Sequence, residues 1–143
     1  MPDQNTHLLK SWFEEVWNKG REEAIDELAA PNMIAHGLLD AQGQEISSVG
    51  KFKVFWRQFR SAFPDIRIAI EDALADGDKV MVRCTVWATH QGDGLGLAAT
   101  KKPVKFTGMV IARIRNGQLV EAWDNWDFLS LYQQLGAVPS SIV

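Results

Sequence analysis

A change of hydrophobic period part-way along the chain predicts an α+β fold. Up to Phe63 the apolar residues recur at helical spacing; from Ile66 onward they alternate one in two. Two tight-turn dipeptides, Asp76-Gly77 and Asn116-Gly117, join the later runs as hairpins. Helices gathered at the front and an antiparallel meander behind them predict two packed layers. Three amphipathic helices present more apolar surface than a flat sheet covers. The expected shape is therefore a cone: a curved antiparallel sheet wrapped around three N-terminal helices, open at one end.

The first helix is read from the stripe Leu8, Leu9, Trp12, Phe13, Val16 and Trp17, with Thr6 as its cap and Gly20 to end it. A short second helix carries Ala24, Ile25 and Leu28 on one face and stops at Pro31. The segment from Met33 to Leu39 reads as a short strand or an extended link. A third helix starts at Ser47 or Ser48, shows Phe52, Phe55, Trp56, Phe59 and Phe63, and closes at Pro64. Ile66, Ile68 and Ile70 then alternate with polar or small residues as a strand with one buried face. A longer strand runs from Lys79 to His90. Residues 91–103 are Gly-rich and irregular, and are expected to form a flexible lip over a cavity. Two strands around Asn116-Gly117 follow, then a final helix from Phe128 to Leu135, ended by Gly136.

The bulk composition narrows the function. A chain of 143 residues, 46% of them hydrophobic, supports one domain, 1–143, around one core. The net charge of −3 is weak and unclustered, so neither nucleic acid nor an anionic membrane is an expected partner. A lone cysteine, Cys84, sits in a strand pattern and reads as a small buried residue. No leader or membrane-spanning stretch is recognised, which makes the cytoplasm the expected location. The long strand is apolar on both faces, with Val80, Val82 and Val86 against Met81 and Trp87. A homodimer through the sheet is the expected consequence.

The candidate site lies on the last strand. Alternation puts Glu121, Trp123, Asn125 and Asp127 on one face, and Val120, Ala122, Asp124 and Trp126 on the other. The first face is expected to look into the cone, because a strand with so many polar positions is doing more than packing. A carboxylate in an apolar cone has its charged form disfavoured and becomes a usable base. Asp127 fits that description, and fits equally the cap of the helix that begins at Phe128. Asn125 is placed to donate to a developing oxyanion. Asp124 is the second candidate, read as facing a dimer interface or solvent. Glu121 reads as paired with Arg113 or Arg83, or as a pocket residue. His36 and His90 read first as satisfied structural histidines and second as residues bordering the cavity, and Trp17 and Phe59 are expected to wall it. His7 reads as exposed, and no histidine has metal-ligand spacing.

Several stretches carry a family resemblance. They are Phe63-Pro64-Asp65, Gly77-Asp78-Lys79-Val80-Met81-Val82-Arg83, Thr89-His90-Gln91-Gly92 and Leu95-Gly96-Leu97. Further on come Arg113-Ile114-Arg115-Asn116-Gly117-Gln118-Leu119-Val120-Glu121, Trp123-Asp124-Asn125-Trp126-Asp127 and Gln133-Gln134-Leu135-Gly136. Together they resemble the SnoaL-like polyketide cyclases, or ester cyclases, of the nuclear transport factor 2-like superfamily. The resemblance implies the cone fold, no metal or organic cofactor, and an acid/base aspartate near the end of the last strand, which by motif is Asp127. It implies ring closure of a small apolar carbonyl compound by intramolecular aldol chemistry. Arg113 stands where some cyclases carry a histidine. Epoxide hydrolysis, with Arg113 between Asp127 and Glu121, and a non-catalytic hydrophobic-ligand or dimerisation module are the alternatives on the same fold.

Overall fold

The structure is a computed structural model that describes residues 2–141; Met1, Ile142 and Val143 lie outside the described residues. The element order is α1 (Pro2–Ser11), a π-helical segment (Trp12–Asn18), α2 (Glu23–Leu28), β1 (Ala29–Leu39), β2 (Glu45–Ile46) and α3 (Val49–Ala62). Then follow β3 (Arg67–Asp76), β4 (Lys79–Thr89), β5 (Pro103–Arg115), β6 (Gln118–Trp126) and α4 (Phe128–Gln134). The strands form one sheet in the order β2-β1-β6-β5-β4-β3. All neighbours pair antiparallel except β1 and β6, which run parallel. Among the described residues no helix is long and apolar enough to cross a membrane.

The first helix differs from its expected form at both ends. It begins at Pro2, so Thr6 lies inside it and caps nothing. From Trp12 it widens into π-helix, closing with Lys19 N–H donating to the Glu14 carbonyl. Widening keeps Trp12, Phe13, Val16 and Trp17 all buried against the sheet. Asn18 then clips the segment to β3, its side chain accepting from Ile68 N–H and donating to the Ile68 carbonyl. The α3 start follows expectation, with the Ser48 hydroxyl accepting from Lys51 N–H.

The sheet has six strands where the pattern of periods showed five. β1 starts directly after α2 and runs through Pro31, which lies in the register break between Ala29 and Ile34, where no ladder pair calls on its missing N–H. β2 is only two residues long, too short to leave a period in the sequence. The Asn116-Gly117 hairpin is as expected, with φ of 52° and 72°. Just beyond it β6 carries a bulge. Ile114 pairs with Leu119, but Arg113 pairs with Glu121, so Val120 is the extra residue.

Helices α1 and α3, with the π-helical segment, fill the concave side. Their Trp12, Phe13, Trp17, Phe52 and Phe59 meet the inner residues Val82, Val86, Phe106, Val110 and Ala122 in one core. The loop after β4 is not a free lip. Gln91 and Gly92 N–H groups both donate to the Ala62 carbonyl, and Leu95 and Leu97 pack against the core. Gly92 and Gly94 run so close to the Ser61 and Gln58 carbonyls that a side-chain carbon would overlap them.

Candidate active site

Between the helices and the concave face lies a hollow of about 50 Å³. That is room for a few water-sized groups, at roughly 10–15 Å³ each. Its wall is almost wholly apolar and aromatic, with Trp12, Trp17, Phe55 and Phe59 from the helical side and Phe106, Val110 and Trp126 from the sheet. Asp124 is the one ionisable group lining it among the described residues.

The bulge in β6 is what brings Asp124 there. Plain alternation from Leu119, which faces inward, would carry Glu121, Trp123 and Asn125 to the inner face. One extra residue swaps the faces, so Ala122, Asp124 and Trp126 point inward instead. On the β1 side, Gly37 holds φ of 88° and runs against the Asp124 carbonyl, where a side-chain carbon would not fit.

Asp124 is half-buried as a residue, and the loss of water around its carboxyl in this apolar setting pushes it up to about 6. Two effects oppose the rise: the Trp126 indole N–H, which donates to Oδ1 at 3.0 Å, and the positive charge of His36. A carboxyl with this titration range exchanges protons readily near neutral pH.

The other expected site residues are distributed as follows. Trp17 and Phe59 line the hollow. Asp127 does not. It is exposed, and its Oδ1 accepts from Ser130 N–H as the cap of α4. The picture of Asp127 held out of water is corrected accordingly. Asn125 is exposed on the outer face, so it has no oxyanion in reach. Trp123, Glu121, Arg113 and His36 also lie on the outer face, joined in one cluster. His36 bridges Glu45 at 3.0 Å and Glu121 at 2.7 Å, and stacks on Trp123 at 5.5 Å. Arg113 donates to Glu121 at 3.0 Å and sits 5.4 Å from the Trp123 ring centroid. The two carboxylates raise the His36 pKa, Glu121 first and Glu45 second.

His90 is fully buried beside Phe63, outside the hollow's lining. Its Nδ1 accepts from Thr100 N–H, which leaves the proton on Nε2. It anchors the loop after β4. Cys84 is buried and its thiol is pushed up to about 12, so it is an inert filler of the sheet. Sequence reasoning named Trp126 only as a member of the opposite face. The available signal was that Glu121 and Asn125 are costly to bury, whereas Ala122 is not.

A family model for SnoaL-like polyketide cyclases matches residues 7–135. The chain belongs to the SnoaL-like polyketide cyclase family. Among solved structures, a candidate polyketide cyclase from Acidithiobacillus ferrooxidans is 32% identical, with 93% of this chain and 94% of that one covered and a TM-score of 0.78. AclR, a candidate hydroxylase from Streptomyces galilaeus, is 27% identical over 97% of this chain and 85% of that one, with a TM-score of 0.83. A protein of ketosteroid isomerase-like fold from Catenulispora acidiphila shares the fold at 15% identity, with 95% and 97% covered and a TM-score of 0.74. No curated protein matches significantly. Structures of this shape thus carry names that point to more than one chemistry, and the fold alone does not choose between them.

Proposed function

We propose that this SnoaL-like protein is a cofactor-independent acid/base enzyme acting on a small apolar carbonyl compound, with Asp124 as the group that moves the proton. The supporting observation is a single carboxyl in an otherwise aromatic hollow, held at about 6 by burial. Ionised, it takes a proton from carbon next to a carbonyl; protonated, it returns one to oxygen. Those two transfers are what an intramolecular aldol ring closure requires. The aromatic wall binds the apolar body of the substrate and keeps water from the exchanging proton.

The geometry gives epoxide hydrolysis less support. That reaction needs an arginine and carboxylates around a water, and the Arg113–Glu121 pair lies on the outer face, away from Asp124. The same outer face supports a homodimer. Leu74, Met81, Ile111, Trp123 and His36 stand in register as one row across five strands. Leu74 is 67% and Met109 56% exposed, which is apolar surface suited to a second copy.

The enzymatic reading is tested by hydrogen–deuterium exchange at the α-carbon of 1-indanone in D₂O, followed by NMR. The wild-type protein accelerates exchange, Asp124→Asn abolishes the acceleration, and Asp127→Asn retains it. Acceleration that survives in Asp124→Asn but not in Asp127→Asn would overturn the assignment.

A further inference from the structure

The carboxyl of Asp124 needs something to hold it, and the inner face of β5 contains an anomaly at the right place. That face reads Val104, Phe106, Gly108, Val110, Ala112, Ile114, all buried. A glycine inside a buried strand weakens it and marks a place where something approaches closely. What approaches is Trp126. Gly108 pairs directly with it across the ladder, and a side-chain carbon on Gly108 would overlap the six-membered ring of the indole.

We propose that Gly108 is a positioning residue: its bare backbone lets the Trp126 indole lie down on β5 and hold Asp124 by its N–H. The proposal rests on the reading of Asp124 as the proton-transfer group. Asp124 and Trp126 are two apart on one strand face, so their Cα atoms are about 6.6–6.8 Å apart. Side chains on a strand stand roughly perpendicular to the sheet, so contact between two such neighbours needs a long side chain that leans. The indole reaches Oδ1 at 3.0 Å with its six-membered ring lying over Gly108, the residue opposite it. Only glycine leaves that space. Phe13 and Phe106 then close on the tilted ring, edge-on at 6.3 and 6.4 Å. With Oδ1 engaged, Oδ2 has no donor among the described residues and is the oxygen left to meet a substrate proton.

An indole N–H donates better to a carboxylate than to a carboxylic acid, so this contact favours the ionised base. The test needs no substrate. The Trp126 indole resonance and the Asp124 carboxyl carbon are followed by NMR against pH in wild type, Gly108→Ala, Trp126→Phe and the double variant. In wild type the indole proton shifts with the carboxyl titration. Gly108→Ala is expected to move that resonance upfield, abolish its pH response, and make Asp124 an about three- to tenfold weaker acid. Trp126→Phe weakens the acid similarly, and Gly108→Ala adds nothing in that background. An unchanged indole titration in Gly108→Ala overturns the proposal, as does a Gly108→Ala shift that persists without the indole. Should Gly108→Ala not fold, an unchanged Asp124 titration in Trp126→Phe overturns it. Failure of the α-proton exchange assay alone would count against the enzymatic reading and leave this relationship standing.

Discussion

His36 Nε2 lies 2.7 Å from Glu121 Oε2, on the outer side of the strand whose inner side carries Asp124. His36 is therefore a clasp between β1 and β6, and Glu45 extends it to β2 at 3.0 Å. Its folded pKa is raised, so the stability it contributes is fully present below the ordinary histidine range. That stability is lost as pH climbs through the raised value. His36→Gln should lower stability by about 1 kcal/mol at pH 6 and by much less at pH 9. Thermal melts at the two pH values check this; equal losses would contradict it.

Asp124 is predicted to cost stability in the form that works. Its folded pKa, about 6, lies above that of the unfolded chain, so the folded state holds the proton more tightly. Stability from this group falls as pH rises from about 4 to about 6 and does not return above that. Asp124→Asn should therefore be more stable than wild type at pH 8, by about 1–3 kcal/mol, and nearly equal to it at pH 4. Urea denaturation at both pH values measures the difference.

Asp127, three residues on, is predicted to behave oppositely. Asp127→Ala removes the side-chain acceptor for Ser130 N–H at the start of α4. The expected loss is about 1 kcal/mol, with no change in the Asp124 titration. Asp127→Asn retains a capping oxygen and should recover most of the loss.

The outer face carries a prediction about assembly. Met109 pairs with Arg83 and Asn125 there and is 56% exposed. Met109→Glu places a charge inside the proposed dimer contact and should shift the protein from dimer to monomer in light scattering, leaving the monomer folded. A wild-type protein that is monomeric at all accessible concentrations would contradict the dimer.

Most of the fold could be read from the period of the sequence, because helices and hairpins leave local marks. The Phe52–Phe63 stripe, the Ser48 cap and the Asn116-Gly117 turn are set by neighbours a few residues apart. What escaped depends on longer-range pairing. β2 is a two-residue partner for β1, and β1 itself is extended by its parallel ladder with β6, a contact across more than 80 residues. The inward face of β6 was misread for one physical reason. The residues of β6 were grouped correctly into two faces, but the bulge at Val120 decides which face looks inward. An extra residue reverses the whole strand, and the alternation by itself does not announce it; only the cost of burying Glu121 and Asn125 hints at it. Trp17 and Phe59 were legible as walls because a helix has one apolar stripe and no comparable ambiguity.

The central claim is that the hollow sets one half-buried carboxyl among apolar walls that raise its pKa, and the most direct measurement is the carbon-13 titration of the Asp124 side chain. A midpoint near 6 is predicted. A midpoint near the ordinary aspartate value of about 3.9 would mean that water reaches the group freely, and would contradict the account.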